Sequence, residues 1–317
     1  MSKAIPSRPR RLCRRSDRSP FFVSPPPLPP SETPPGVVAL PPILKWSGLT
    51  DRGRVRANNE DAFLALAIDL HEVRYLGKTG EAPLDSADFV FAVSDGMGGA
   101  KSGEIASRMA VDRITQLLPP IVRSSRAQDD ASRAQVLGAV VAAIHRDLLL
   151  LGRSYEECAG MGATLSLCWL TAGRLYFAHV GDSRIYRFPA AGGLKQLSDD
   201  HSHVGWLRRK GQINEREART HPLRHSLHQA IGAGIKHLDP HFGSTAHSLG
   251  DRFLICSDGV TDGLWDHHLD ELIRETKGPK ASQPAAQRIV EEAVEKSGRD
   301  NATALVIEIG PPTTPAP

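Results

Sequence analysis

The amino-acid sequence predicts an α+β fold in which helices cover antiparallel β-sheets. Short apolar runs bounded by Gly, Asp or Pro are typical of strands, and they recur between about residues 47 and 309. Longer segments with apolar residues three and four positions apart predict helices between these runs. Predicted strands are joined by tight links such as Thr171-Ala172-Gly173, which favours antiparallel pairing over a doubly wound parallel sheet.

The individual elements follow from this periodicity. The predicted strands cover residues 47–50, 63–67, 89–94, 164–170, 175–180, 184–188, 253–257 and 303–309. The predicted helices cover residues 103–118, 135–151, 266–275 and 284–296. Residues 199–235 break the strand pattern with short, polar, histidine-rich helical pieces, so an irregular insertion is expected there.

The composition changes near both ends of the chain. Residues 1–44 combine clustered arginines with proline runs, a composition that predicts a disordered basic tail. This tail is either a solvated arm or a segment that binds acidic partners or membrane surfaces. Residues 45–311 predict one folded domain, and residues 312–317 a short disordered tail. The positive charge is concentrated in the first tail, so the rest of the chain has no basic face that would indicate nucleic-acid binding.

The cysteines and the apolar runs indicate the cellular compartment. The four cysteines, Cys13, Cys158, Cys168 and Cys256, show no C-x-x-C spacing, which argues against a disulfide framework and a structural zinc site. The apolar residues 21–23 are too few for a signal peptide, and no run of about 18 apolar residues predicts a membrane span. A cytoplasmic protein is therefore expected.

Acidic residues adjoin several predicted strands. One apolar strand leads into Asp95 and Gly96, and a second leads into Asp258. A rigid strand fixes a carboxylate, and glycine lets a backbone carbonyl reach the same ion, so this pattern suits a metal site. An Asp-Gly pair alone after a strand is most often an ordinary turn. Because Asp182 and Asp300 also adjoin strands, the repeated pattern indicates a shared metal site.

A charged loop precedes the second predicted strand. In this loop Arg56 stands shortly before the adjacent carboxylates Glu60 and Asp61. The planar guanidinium of arginine pairs bidentately with phosphate oxygens, and carboxylates can anchor metal-bound water. Taken alone, the segment is also compatible with a solvated charged loop.

Taken together and in order, these elements resemble the metal-dependent protein phosphatase family of type 2C, especially its bacterial members. The similarity covers about residues 46–310. The motifs that carry it are R-x-x-N-E-D from Arg56 to Asp61, D-G-M-G-G from Asp95, G-M-G-A-T from Gly160, G-D-S-R from Gly181, C-S-D-G from Cys256, and Asp300-Asn301. Several ordered motifs across one domain are more specific than any one of them.

The resemblance implies a four-layer α/β/β/α sandwich with two central antiparallel sheets and a flap, residues 199–235, beside the active site. It implies catalytic roles for Arg56, Asp61 and Asp95, with Arg56 binding the phosphate of the substrate. The implied cofactors are two tightly bound Mn²⁺ or Mg²⁺ ions and a third, weaker ion near Asp182. The implied metal-binding residues, acting directly or through water, are Glu60, Asp61, Asp95, Gly96, Asp182, Asp258 and Asp300.

The implied reaction is hydrolysis of phosphoserine and phosphothreonine by direct attack of a metal-bridging hydroxide. The implied partners are phosphoproteins made by a bacterial serine/threonine kinase, and a monomer is expected. Met97 stands where animal relatives carry a histidine thought to protonate the leaving group, so no side chain is assigned as general acid. Two alternatives stay open: a non-catalytic module that binds phosphoproteins, and a phosphohydrolase that acts on nucleotides or sugar phosphates.

The histidines of the flap allow a zinc interpretation, because imidazole is a common metal ligand. They include His201, His203, His221, His225 and His228. Their spacing matches no standard zinc pattern, so a solvated loop that contacts the substrate protein is expected.

Overall fold

A computed structural model describes residues 40–98, 102–124 and 129–312 of the chain. The strands are β1 (Ile43–Asp51), β2 (Asp61–Ile68), β3 (Val73–Tyr75), β4 (Thr79–Pro83), β5 (Asp88–Met97), β6 (Gly162–Ala163), β7 (Leu165–Leu170), β8 (Arg174–Val180), β9 (Arg184–Phe188), β10 (Lys195–Gln196), β11 (Ile231–Gly232), β12 (His241–Ala246), β13 (Arg252–Cys256) and β14 (Ala302–Gly310). The helices are α1 (Ser102–Arg123), α2 (Asp130–Ser154), α3 (His203–Arg209), α4 (Glu215–Thr220), α5 (Asp258–Gly263), α6 (Asp266–Arg274) and α7 (Ala285–Lys296).

The strands form two antiparallel sheets. The smaller sheet has the order β10-β9-β13-β14-β1-β4, so β14 lies between β13 and β1. The larger sheet has the order β11-β6-β5-β7-β8-β12, and β2 joins it by pairing with β5 and β3. Antiparallel pairing, predicted from the tight links between strands, is therefore confirmed.

Alternation of side chains along the strands builds the core. On β5, Phe89, Phe91 and Val93 pack between the two sheets, whereas Val90 and Ala92 pack against α1 and α2. Successive side chains of a strand point to opposite faces, so one strand serves two apolar layers. The strands are nearly continuous apolar runs because both faces of each sheet are covered.

The helices form the outer layers. One buried cluster joins α1 and α2 to the larger sheet, and another joins α5, α6 and α7 to the smaller sheet. The order of layers is therefore α/β/β/α, and the predicted fold class is confirmed. Among the described helices, α2 alone is long and apolar enough to span a bilayer, but its Leu137, Val141 and Ile144 are buried in the core. We interpret α2 as a layer of the sandwich.

The long helices are confirmed with different ends. Proline predicts a helix end because it removes a backbone donor, yet α1 continues through Pro119 and Pro120 to Arg123. The predicted end at residue 118 is wrong because Pro119 is buried, so packing outweighs the lost hydrogen bond. The predicted start of α2 at residue 135 is also too late. The helix is capped by Asp129, whose carboxylate accepts a hydrogen bond from a first-turn N–H.

Several short elements escape prediction from the sequence. The strands β3, β4 and β12 are short and partly exposed, so their apolar pattern is weak. The helix α5 begins directly after β13, where two glycines favour a turn. The predicted insertion at 199–235 is confirmed and contains α3 and α4. Of the predicted tails, residues 1–39 and 313–317 lie outside the described part of the chain. The end of the first tail, predicted at residue 44, overlaps β1, which begins at Ile43.

Candidate metal and active site

Acidic side chains meet where strands of both sheets end. The alternation that places Val93 between the sheets continues to Asp95, and Asp61 lies directly opposite Asp95 on β2. Asp258 follows the end of β13, and Asp300 precedes the start of β14. Because these strands are neighbours within each sheet or face each other across the core, their ends gather the carboxylates at one end of the sandwich.

Two hydroxyl groups hold Asp61. Its Oδ2 accepts hydrogen bonds from Ser257 Oγ at 2.7 Å and from Thr303 Oγ1 at 2.6 Å. Its other oxygen, Oδ1, is buried and has no hydrogen-bond partner in the described part of the chain. Burial raises the pKa of Asp61 to about 6. A buried carboxylate oxygen without a donor is the feature that a bound cation would satisfy.

Asn301 anchors the loop that carries Arg56 and Glu60. Its side-chain amide donates hydrogen bonds to the backbone carbonyls of Arg52 and Asn58, each at 2.9 Å. Its Oδ1 accepts a hydrogen bond from the N–H of Glu60 at 2.8 Å. One buried side chain next to β14 therefore fixes the path of a loop that lies more than 200 residues earlier in the sequence.

Glycine is required where β5 passes the start of α1. A Cβ atom at Gly96 would lie 2.0 Å from the carbonyl oxygen of Gly103. A Cβ atom at Gly103 would lie 3.0 Å from the backbone carbonyl of Gly96. This close approach leaves the backbone of Gly96 on the wall of the cavity between the acids. The role of its carbonyl as a metal ligand stays a prediction.

The buried acids repel one another. Burial, followed by the charges of Asp61 and Asp258, raises the pKa of Asp95 well above its ordinary value. Burial, followed by the charge of Asp182, has the same effect on the pKa of Asp258. Oδ1 of Asp258 is a second buried oxygen without a partner among the described residues. Ionised carboxylates gathered in this way require compensating cations.

Asp182 could either stabilise a structural turn or face the proposed metal site, and its surroundings distinguish these two roles. Arg184 is the basic residue that could hold Asp182 in a structural turn, but it donates to both carboxylate oxygens of Asp200 at 2.7–3.1 Å. Asp182 instead lines the acidic cavity with Asp258. Burial, followed by the charge of Asp200, raises the pKa of Asp182 to about 7. These observations favour the metal-facing interpretation.

The carboxylates line a cavity of about 540 Å³ that is open to solvent. Arg56 stands at its edge with half of its side chain exposed, and its Nη2 donates to Oδ2 of Asp300 at 2.6 Å. A guanidinium carries five N–H donors, so this ion pair leaves others for a phosphate. The cavity therefore combines acidic groups with one arginine suited to an anionic substrate.

The donor set fits hard divalent cations. Carboxylate and carbonyl oxygens suit Mg²⁺ and Mn²⁺ rather than softer metals. Within residues 40–98, 102–124 and 129–312, no three His, Cys, Asp or Glu side chains form a ready-made coordination group. Mg²⁺ usually keeps several waters and is held by one or two carboxylates, so acids spread around a wet cavity still suit it.

Comparison with known proteins identifies the family of this chain. A protein-family model described as protein phosphatase 2C matches residues 80–292, which is more than half of the chain. The chain belongs to the protein phosphatase 2C family. The resemblance inferred from the motifs is thereby confirmed.

Bacterial members of this family are among the similar proteins. The serine/threonine protein phosphatase PstP of Mycobacterium tuberculosis is 29% identical over 270 residues, which cover 84% of this chain and 45% of PstP. This chain thus spans about half the length of that relative. The serine/threonine phosphatase stp of Listeria monocytogenes is 30% identical over 260 residues, which cover 82% of this chain and 93% of stp. A crystal structure of the catalytic domain of PstP in complex with two manganese ions has a TM-score of 0.66, is 28% identical, and covers 85% of this chain and 99% of that chain.

In this protein phosphatase 2C chain the predicted site residues lie together. Those that line the cavity are Arg56, Glu60, Asp95, Gly96, Asp182, Asp258 and Asp300. Asp61 is buried beside them on the strand next to Asp95. Their individual catalytic and metal-binding roles stay predictions.

Several residues that shape the site were missed in the sequence. Thr303 and Ser257 orient Asp61, and the Thr164 hydroxyl accepts a hydrogen bond from the backbone N–H of Asp95 at 3.0 Å. Thr164 and Ser257 stand within two of the family motifs, but a threonine next to a strand is ordinarily a β-branched strand former, so the motifs do not indicate which group each hydroxyl contacts. The available signal is a hydroxyl residue within or beside an otherwise apolar buried strand.

The flap borders the cavity and is not uniformly solvated. His201 is buried against His179, with ring centroids 5.4 Å apart, and burial lowers the pKa of His201 to about 4. The expectation of a solvated histidine is therefore wrong for His201, because its ring fills the space beside β8. Among the described residues, the flap histidines form no metal-binding group. His225, in contrast, is exposed and lines the cavity that the carboxylates surround.

Proposed function

We propose that this chain is a metal-dependent protein phosphatase that hydrolyses phosphoserine and phosphothreonine. The observation that carries the proposal is the ring of carboxylates around an open cavity edged by Arg56. Within this ring, buried oxygens of Asp61 and Asp258 have no hydrogen-bond partner among the described residues. Membership of the protein phosphatase 2C family supports the same reaction. All the predicted acids are present, which argues against a module that only binds phosphoproteins.

Each site residue has a proposed role. Asp95, Asp258 and Asp300 would hold two divalent cations with help from the carbonyl of Gly96, and Glu60 and Asp61 would act mainly through bound water. When bound, two Mn²⁺ or Mg²⁺ ions supply charge neutralisation and a water of lowered pKa for in-line attack on phosphorus. Arg56 pairs with the phosphate oxygens and holds the phosphorus in line for that attack.

The chain's own contacts would keep this arrangement rigid. The hydroxyl groups of Ser257 and Thr303 both donate to Oδ2 of Asp61. These two hydrogen bonds fix the orientation of the carboxylate, including its Oδ1. Asn301 fixes the loop between Arg56 and Glu60 in the same way. A site already held in the productive geometry does not have to be reorganised when the substrate binds.

The cellular role is part of the proposal. Substrates would be phosphoproteins made by a bacterial serine/threonine kinase, and the enzyme would act as a cytoplasmic monomer through a catalytic domain at residues 45–311. The cavity lies at a surface edge and is bordered by the flap, so a phosphorylated side chain of a protein can enter it. Specificity would then depend on loops around the cavity.

A substrate panel tests the proposed activity. Purified protein with Mn²⁺ should hydrolyse phosphoserine and phosphothreonine peptides much faster, by kcat/KM, than nucleotides or sugar phosphates. The same panel with excess chelator is the control. Faster hydrolysis of nucleotides or sugar phosphates would favour the alternative phosphohydrolase, and no hydrolysis with any metal would favour a binding module.

Asp182 is expected to affect the metal requirement rather than stability. Asp182→Ala should lower turnover and raise the metal concentration needed for half-maximal rate, because the weak third ion loses a ligand. The melting temperature of the metal-free protein should not fall, since removal of Asp182 reduces acidic repulsion. Metal titrations of activity beside thermal melts measure both effects.

Asp200→Ala is the matched control for that experiment. Asp200 is buried and pairs bidentately with the largely buried Arg184. Leaving Arg184 without its partner should cost about 3–5 kcal/mol of stability. If Asp182→Ala destabilised the protein as much as Asp200→Ala and left the metal requirement unchanged, the role of Asp182 would be structural.

A further inference from the structure

The catalytic cavity contains a histidine that comes from the flap rather than from a strand end. His225 lines the cavity together with Asp95, Asp258 and Arg56. It also lines a smaller adjoining cavity of about 60 Å³ that includes Asp182. His225 therefore borders the space that a phosphorylated side chain would occupy.

Backbone contacts fix the segment that carries His225. The carbonyl of Ser226 accepts a hydrogen bond from the N–H of His203 at 3.1 Å. The next residue, Leu227, forms an antiparallel bridge with Ser202. Ser202 is buried and caps α3, so both contacts tie His225 to an ordered helix start. The position of His225 does not depend on its own side-chain contacts.

The proposed reaction needs a proton donor near the leaving group. Hydrolysis of a serine or threonine phosphate expels an alkoxide, which leaves slowly unless it is protonated as the bond breaks. Met97 carries a thioether and has no proton to give, and Arg56 does not release its protons. The cavity carboxylates must be ionised to hold cations. Histidine is the side chain that ordinarily exchanges protons near neutral pH.

We propose that His225 is a catalytic residue that protonates the leaving oxygen. The inference rests on the proposed phosphatase function. As the attacking water oxygen bonds to phosphorus, the bond between phosphorus and the serine or threonine oxygen breaks, and its electron pair stays on that oxygen. An imidazole nitrogen of His225 gives its proton to this oxygen. The attacking water releases one of its protons to solvent, and the neutral imidazole regains a proton from solvent, so the protons balance. The products are a free hydroxyl group and inorganic phosphate.

A change in leaving-group dependence distinguishes proton donation from a structural role. His225→Gln keeps a polar side chain of similar size but cannot act as an acid. With saturating Mg²⁺ and a phosphoserine peptide, kcat should fall about 100-fold. With p-nitrophenyl phosphate, whose leaving group needs no proton, kcat should be unchanged. Across a series of substituted phenyl phosphates, the rate of the variant should fall more steeply as the leaving group becomes more basic.

His237→Gln is the matched control, because His237 is an exposed histidine that follows the flap and does not line the catalytic cavity. It should behave like the unchanged protein on every substrate. A second measurement does not depend on turnover: in ¹⁵N-histidine NMR spectra of the Mg²⁺-loaded protein, inorganic phosphate should shift the ring signals of His225 and leave those of His237 in place.

Three results would overturn the inference. These are an equal loss of kcat on the peptide and on p-nitrophenyl phosphate, a change in KM alone, and no loss on the peptide. If Glu60→Gln instead showed the leaving-group-dependent loss, the donor would be Glu60. An unchanged protein that fails to hydrolyse the phosphopeptide would refute the proposed function itself, so the two failures are distinguishable.

Discussion

Asp95→Asn is expected to lower turnover on a phosphopeptide by about 1,000-fold or more. Asp95 lies opposite Asp61 at the end of β5 and faces the same cavity as Asp258 and Asp300, so it can serve more than one cation. An amide is a poor ligand of similar shape. Loss of the charge stabilisation that a metal site supplies, about 4 kcal/mol or more, corresponds to that factor. Asp258→Asn should behave in the same way.

The same change should stabilise the protein in the absence of metal. Burial and the neighbouring acids raise the pKa of Asp95 well above its ordinary value, so near neutral pH ionisation of Asp95 favours the unfolded chain. An uncharged asparagine removes this penalty. The chelated Asp95→Asn protein should melt at least about 2 °C higher than the unchanged protein. Thermal melts in chelator beside steady-state kinetics in Mn²⁺ measure the two opposite effects.

Arg56→Ala is the matched comparison at the same cavity. Arg56→Ala removes a phosphate contact without removing a predicted metal ligand. The loss of activity should therefore be smaller than in Asp95→Asn and should appear mainly in kcat/KM. Metal binding should persist. Near-normal turnover of a verified Asp95→Asn preparation would show that the ligand assignment is wrong.

Removal of divalent metal is the second change with a large expected effect. Exhaustively chelated protein should be nearly inactive on a phosphopeptide, and Mn²⁺ or Mg²⁺ should restore turnover, because Arg56 alone cannot neutralise a phosphate dianion among so many carboxylates. Metal should also stabilise the fold, by about 2.7 kcal/mol at 100 times the dissociation constant. Activity that survives chelation would exclude the proposed two-metal reaction.

The pH dependence of stability gives an independent measure of the same site. The pKa is raised to about 6 for Asp61 and to about 7 for Asp182, so the folded protein binds more protons than the unfolded chain between about pH 4 and those values. Stability contributed by these groups is therefore present at low pH and is lost as pH rises through this window.

Bound metal should reverse that trend, because cations compete with protons for the carboxylates. Melting temperatures with chelator and with Mg²⁺, at about pH 5 and about pH 7.5, provide the measurement. The stabilisation by Mg²⁺ should be larger at the higher pH. An equal stabilisation at both values would place the ions away from these acids.

The sequence predicts the layers and the acids because both follow from local patterns. Apolar runs define the strands, and an acid directly after a buried strand is visible without knowledge of the partner strand. The alternation on β5 even determines that Asp95 shares the inter-sheet face with Val93. The family motifs then order these acids into one site.

The parts that escape prediction depend on contacts between distant segments. Asn301 binds the loop around Asn58, and no spacing rule relates two positions so far apart. His225 reaches the cavity because Leu227 bridges to Ser202, and short polar helices carry little periodicity from which to infer this. The helix α5, which begins with Asp258, is not predicted because its two glycines are typical of a turn.

The central place of β14 in the smaller sheet has a consequence for synthesis. This strand inserts between β1 and β13, and the segment around it contributes Asp300, Asn301 and Thr303. A nascent chain that ends before this segment lacks a metal-facing acid, the anchor of the Arg56 loop and a donor to Asp61. Chains grow from the N-terminus and can fold as they emerge from the ribosome. Catalytic power therefore arises only after this segment has been synthesised, and products that terminate before it cannot remove phosphate from their targets.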